Sequence, residues 1–294
     1  MKLYTPNYGC RLGIGSFGKV YQSHENPHEI VVKVIEKKYT DIILDFYDDN
    51  FIELTQRHHN LSHLFGIYLD DISNKCFIIM EYMSGKDLID IINIEGKLSD
   101  PIYIKNDIES NNHYLDIFQQ GYDYLTGKIK LSNESNKRVK NITKDVLQAL
   151  EFLHENNIIH RDVKPENIRI LDDNSIKLFD YSLSCKIDNN PIRKSGSISY
   201  CAPELFTNNS SKIIYDTSVD IWSLGCVMYG MMEGLFLYSE KEVSLFRNNH
   251  IKHFSSKITR KLWDDMLLEI LSCMLEEDVE NRLSATELLT KFFN

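Results

Sequence analysis

The chain has 294 residues, 43% of them hydrophobic, and a formal net charge of −10, which suits one large domain or two modest lobes around a cleft. The acid excess argues against a general nucleic-acid binder, because a phosphate backbone recruits a surplus of Lys and Arg. Apolar runs such as CFIIM and GLFLY are far short of the ~20 residues of a spanning helix, so no membrane role is expected.

Met1 to Gly13 lacks the apolar core of a signal peptide, and the six cysteines are scattered without a C-x-x-C pair. A reduced, intracellular compartment, cytoplasmic or nuclear, is the expectation, without zinc. The first motif, GIGSFGKV (Gly13 to Val20), reads in two ways. It is either G-x-G-x-x-G followed by a valine, or G-x-x-x-x-G-K without its Ser or Thr. The stretches KVYQ and EIVVKVI flank a turn-like SHENPHE and predict a β-hairpin up to Ile35. A P-loop needs a helix to begin at Lys19 and Val20 and a hydroxyl there for Mg²⁺. Neither is present, and the surviving reading is a strand-loop-strand clamp whose glycines let the backbone close over a nucleotide.

Asp41 to His58 has helical length, with Asp45, Asp49 and Glu53 on one stripe. A strand, CFIIMEY, follows. After Tyr82 the character changes: SGKDLIDII opens a helix, and the segment from Asn136 to Asn156 places Val139, Ile142, Val146, Leu150 and Leu153 on one helical face. The expected architecture is α+β, a β-rich lobe over residues 1–82 hinged near Met83 to a larger helical lobe over 83–294. Residues 100–135, polar, Asn-rich and without periodicity, read as an inserted surface excursion in preference to a binding platform.

IIHRDVKPENIRIL and IKLFDYSL carry the chemistry. With them the sequence resembles the eukaryotic protein kinase family, over nearly its whole length apart from the insertion. His160-Arg161-Asp162 with Lys164 and Asn167 is similar to the family's catalytic loop, and Asp180, thirteen residues after Asn167, to its magnesium-binding Asp. GSISYCAPE, DIWSLG and Arg282 in VENRLSATELL follow in the family's order. The resemblance implies the bilobal kinase fold and a serine/threonine protein kinase that moves the γ-phosphoryl group of Mg-ATP to protein substrates. Such a transfer passes through a loose transition state, so positioning and charge neutralisation are the enzyme's task. The implied roles are Asp162 as base, Lys164 on the moving phosphate, Lys33 on the α- and β-phosphates, and Asn167 and Asp180 as hard oxygen donors for Mg²⁺. Leu12, Gly13, Gly15, Gly18 and Val20 would form the lid over the nucleotide, and Val31 would cover its ring. Met80 is the implied gatekeeper, Glu81 and Met83 the adenine-binding hinge, and Asp87 a residue near the ribose. His160 is structural by the same resemblance, and Glu204 with Arg282 a buried ion pair.

Four departures stand out. The magnesium motif reads Asp180-Tyr181-Ser182, losing its flexible glycine. The helix acid that should pair with Lys33 falls on Asp49, or on Asp45 or Glu53 if the helix is shifted by a turn. Arg169 stands where an apolar adenine floor is usual; its guanidinium either stacks on the ring or swings out. The activating phosphosite is replaced by PIRKS, so either Ser195 is read through Arg161 or the loop is ordered without a phosphate. Lys164 and Ser197 point to Ser/Thr acceptors, and Asp87 with Glu166 to a leaning toward basic peptides. The competing reading is a pseudokinase scaffold, with a monomer as the default in either case.

Overall fold

The computed structural model describes residues 7–14, 17–36, 46–70, 73, 75–95, 133–187, 196–207, 216–234, 237–239, 242 and 263–294. Gly15, Asp45, Ser195 and all but the last three residues of the expected insertion lie outside the described residues. β-Branched and aromatic residues dominate the first part of the chain and build strands β1 (Tyr8–Ile14), β2 (Gly18–Ser23), β3 (Ile30–Glu36), β4 (Leu64–Asp70) and β5 (Lys75–Glu81). They form one antiparallel sheet in the order β1-β2-β3-β5-β4. The hairpin predicted after the glycine loop is β2 and β3. In register, Lys33 on β3 stands opposite Val20 on β2 and Ile78 on β5. Because strand side chains alternate, Lys33 shares its face with Val31.

Helix α1 (Asp49–Thr55) is shorter than the segment predicted from Asp41 to His58. Its start is fixed by Asp48, whose carboxylate accepts from the Phe51 amide at 2.7 Å. It buries Phe51, Leu54 and Thr55, and the Phe51 ring meets Phe46 at 4.3 Å and Tyr181 at 5.3 Å. A backbone seam joins this region to the rest: Leu178 N donates to Asn60 O at 2.8 Å, and Ser62 N donates to Leu178 O at 3.0 Å.

The second part is mainly helical. It contains α2 (Leu88–Glu95), α3 (Asn133–Glu155), α4 (Glu204–Thr207), α5 (Ser218–Glu233), α6 (Asp265–Met274) and α7 (Ala285–Phe292). Short strands β6 (Lys86–Asp87), β8 (Ile168–Ile170) and β9 (Ile176–Leu178) pair in the order β6-β8-β9, while β7 (Ile158–Ile159) pairs with β10 (Cys185–Lys186). Helix α3 starts three residues before the predicted Asn136, and its stripe of Val139, Ile142, Val146, Leu150 and Leu153 is buried as expected. Helix α5 is apolar almost all round and buried on nearly every side, as a central core helix must be. Gly85 turns the chain from the hinge into β6 at φ 86°, where a Cβ would stand 2.0 Å from Ile170 O, so only glycine fits.

The expected ion pair is present. Arg282, its side chain fully buried, reaches Glu204 with two contacts of 2.7 and 3.1 Å, and it also donates to Ser218 O and Glu276 O. Its guanidinium lies 5.0 Å from the centre of the Trp222 ring. Glu204→Ala strands this buried charge and should destabilise the protein by about 3 kcal/mol, the low end for a broken buried pair because two carbonyl partners remain. Urea unfolding of wild type and variant measures it, and a loss within experimental error of zero contradicts the assignment.

Candidate active site

The segment from His160 to Asn167 is held from below by one carboxylate. Asp220, in the first turn of α5, accepts from the backbone amides of His160 and Arg161, both at 2.8 Å, and pairs with His154 Nε2 at 3.0 Å. Burial opposes its ionisation, but the contact with His154 and the amide bonds hold its carboxyl below the usual range. This anchoring lets Arg161 keep a positive φ of 67°, a conformation that side-chain-bearing residues hold only under constraint. His160 is fully buried. Its Nδ1 accepts from Asp162 N at 3.3 Å and its Nε2 faces Phe179 O at 3.2 Å. Burial pushes its pKa down, so the ring is neutral and structural, as expected.

Above this base the loop gathers its polar groups. One Asp162 oxygen, Oδ2, takes Lys164 Nζ at 2.8 Å and Asn167 Nδ2 at 2.9 Å. The other, Oδ1, accepts from the Ser197 amide at 3.2 Å and its hydroxyl at 3.1 Å. Lys164 also donates to Ser197 Oγ at 2.9 Å. Asn167 Nδ2 donates to Asp162 O as well, at 2.8 Å. Its donors are thereby turned inward, and its carbonyl oxygen is the atom left for a cation.

Asp180 follows Phe179, whose amide donates to Asn167 O at 3.0 Å. It sits at φ 63° and begins the single turn Tyr181–Leu183. Lys33 reaches across from β3 to Asp180 Oδ1 at 2.6 Å. Burial opposes the charge on Asp180, yet Lys33 and the Ser182 hydrogen bonds outweigh it and bring the pKa down to about 2. The Asn167 carboxamide oxygen and the ionised Asp180 carboxylate form a hard donor set that fits Mg²⁺. Tyr181, where the family has Phe, is fully buried, with its hydroxyl 3.0 Å from Ser62 O and 3.2 Å from Leu178 O. The extra oxygen thus ties the segment that follows Asp180 to the seam between the two parts of the fold.

Of the helix acids expected opposite Lys33, Asp45 lies outside the described residues and neither Asp49 nor Glu53 takes that place. Asp49 is exposed at the start of α1, and Glu53 pairs with Arg57 along the helix at 2.5 Å. The face of α1 that turns inward is the apolar one, carrying Phe51 and Leu54, so its acids point to solvent.

Leu12, Gly13, Val20, Val31, Lys33, Glu81, Met83 and Asp87 line a single cavity of about 390 Å³, together with Asp180. Its size suits a small-molecule ligand. The Glu81 carboxylate is engaged away from it by Lys177 at 2.8 Å and the His63 amide at 2.8 Å, so its hinge contribution is backbone. Gly13 and Gly18 differ in why they are glycine. A Cβ on Gly18 would stand 2.2 Å from Val34 O, a packing demand of the sheet, whereas one on Gly13, at the cavity lining, would meet nothing within 4 Å. Arg169 lines the floor and does not swing out: it donates to Asp87 Oδ1 at 3.0 Å and to Met83 O at 2.9 Å.

Residues 7–293 match the protein kinase domain family. The chain belongs to that family. Over 98% of its length it is similar, at 28% identity, to an Aurora kinase of Eremothecium gossypii. Similar matches are the serine/threonine-protein kinase KIC1 of Saccharomyces cerevisiae, 26% identical over 96% of the chain, and the CBL-interacting serine/threonine-protein kinase 16 of Arabidopsis thaliana, also 26% over 96%. The chain spans 68%, 23% and 55% of those three proteins, respectively.

Three contributors to this kinase site escape a reading of the residues alone. Asp220 lies in the quoted DIWSLG, yet nothing in its spacing says that it faces the backbone of residue 160. Tyr47 and Ser182 meet beside Lys33 only through tertiary folding. Asp220→Asn leaves one of two buried amides without its acceptor, at about 1.4 kcal/mol. Amide exchange at His160 and Arg161, followed by NMR, should therefore quicken by roughly tenfold relative to α3. Unchanged protection contradicts the anchoring role.

Proposed function

We propose that the chain is an active serine/threonine protein kinase transferring the γ-phosphoryl group of ATP to Ser and Thr hydroxyls of protein substrates. Its membership of the protein kinase domain family and its resemblance to serine/threonine-protein kinases support the class. One run of contacts supports the residue assignments: Lys33 meets Asp180 at 2.6 Å, the Phe179 amide beside Asp180 donates to Asn167 O at 3.0 Å, and Asn167 Nδ2 donates to Asp162 Oδ2 at 2.9 Å. The lobes are assigned to residues 1–82 and 83–294, with an insertion at about 100–135.

In this reading Lys33 grips the α- and β-phosphates, while the hinge backbone from Glu81 to Met83 receives adenine. Asn167 Oδ1 and the Asp180 carboxylate would hold Mg²⁺, which supplies neutralisation of the phosphate charge. Asp162 accepts the proton of the incoming hydroxyl, at the oxygen where Ser197 now donates. Lys164, 2.8 Å from that carboxylate, places an ammonium where the transferring group gathers charge. Ser197 bridges Asp162 and Lys164, an arrangement that fixes the pair against which an acceptor side chain would dock. No helix among the described residues is long and apolar enough to cross a membrane. An intracellular monomer, acting on proteins and engaging neither nucleic acid nor membrane, is the proposed setting.

Phosphate incorporation from labelled ATP into a basic protein substrate tests the assignment. Asp162→Asn should lower turnover by about 10²- to 10⁴-fold, the range for loss of a general base, with ATP affinity little changed. Removal of Mg²⁺ by chelation should abolish incorporation by the wild type. Equal incorporation by wild type and Asp162→Asn defeats the role of Asp162, and ATP binding without any turnover by the wild type favours the scaffold reading.

A further inference from the structure

Lys33 is buried, with 4% of its surface exposed. A buried ammonium needs acceptors in place of water. Among the described residues its Nζ has two, Asp180 Oδ1 at 2.6 Å and Ser182 Oγ at 2.8 Å. None of the acids on or beside α1 described here reaches it. Asp49 is exposed, Glu53 is paired with Arg57, and Asp48 caps α1 and contacts Lys186. Ser182 is itself buried, and its hydroxyl lies 2.5 Å from the same Asp180 oxygen. The buried Tyr47 side chain interacts with Ser182 as well.

We infer that Ser182 is a positioning residue for the proposed kinase reaction, its hydroxyl anchoring the Lys33 ammonium in the role that a helix carboxylate fills in the family pattern. The inference rests on the reading of the site given above. A hydroxyl offers two lone pairs and one donor, so Ser182 can accept from Lys33 and donate to Asp180 at once. The balance of charge gives this consequence. Among the described residues no helix carboxylate engages Lys33, and its one charged partner, Asp180, is also the candidate metal ligand. When the Asp180 carboxylate turns toward a cation, Ser182 Oγ is the acceptor that stays with Lys33. The turn Tyr181–Leu183 can hold it there because the Tyr181 hydroxyl is bonded to the backbone at Ser62 and Leu178. Glycine, which the family places at this position, has no side chain to do so.

The test is a double-variant cycle read by calorimetric binding of MgATP to the full chain. Ser182→Gly, which restores the family's residue, should weaken MgATP binding and lower kcat/KM for ATP by about 10- to 100-fold, the range for one hydrogen bond to a charged group. KM for the protein substrate should stay unchanged. Ser182→Thr should restore ATP affinity to near the wild-type value. In a Lys33→Met background, Ser182→Gly should add no further loss. Ser182→Ala, which removes the hydroxyl without adding backbone freedom, should match Ser182→Gly and stands in for it should glycine loosen the turn. Wild-type affinity in Ser182→Ala, or an equal loss with and without Lys33, overturns the inference. A wild-type chain that binds MgATP without transferring phosphate, while Ser182→Ala still weakens that binding, sinks the kinase reading and leaves the anchor in place.

Discussion

The contact between Lys33 and Asp180 joins residues 147 apart in sequence, at 2.6 Å. The active-site geometry depends on it, because it is where the sheet and the helical part meet with opposite charges inside the cleft. Each group alone in that environment would carry the desolvation cost of a buried ion. Together, and with the Ser182 hydroxyl, they satisfy one another. The sheet contributes by register: the alternation that puts Val31 and Val20 over the cavity puts Lys33 there too. The helical part contributes through the seam at Asn60, Ser62 and Leu178, which fixes the distance over which Lys33 must reach.

Two residues on either side of the site, Arg161 and Asp180, are held at positive φ. Such conformations persist only when the surroundings over-determine them. For Arg161 the determinant is Asp220, gripping two consecutive amides. For Asp180 it is the combined pull of Lys33 and the Ser182 amide and hydroxyl on one carboxylate oxygen. The apolar core supplies the rigidity behind both, with α5 buried on nearly all sides and the Tyr181 ring meeting Phe51 and His160 edge to face. Candidate catalytic groups on strained loops and an anchor on a rigid helix are two halves of one design: the strain orients side chains, and the helix keeps the strain from relaxing.

Much of this was legible in the residues. The apolar stretches KVYQ and EIVVKVI announced the hairpin of β2 and β3, and the stripe from Val139 to Leu153 announced α3. Lys33, Asp162, Asn167 and Asp180 could be proposed as a set because motif order is a property of the chain. The partner of Lys33 was not, because the spacing of Asp45, Asp49 and Glu53 states a face without stating which way that face turns. The aromatic packing of Phe51 on Phe46 and Tyr181 decided that for Asp49 and Glu53, and it left both exposed. The posture of Arg169 was equally hidden. Its charge argued for escape from the cavity, but Asp87 and the Met83 carbonyl, brought beside it by the pairing of β6 with β8, offer it acceptors at the floor.

The ion pair across the cleft can be measured directly by following the Asp180 carboxyl carbon through a pH titration by NMR. With Lys33 in place it should titrate near pH 2, below its ordinary 3.8. The stabilisation tied to this group is therefore complete above the ordinary value and lost as pH falls toward 2. In Lys33→Met, only the Ser182 hydrogen bonds still oppose burial, and the titration should move up toward the ordinary carboxylate value. A carboxyl that titrates at its ordinary value in both proteins contradicts the account.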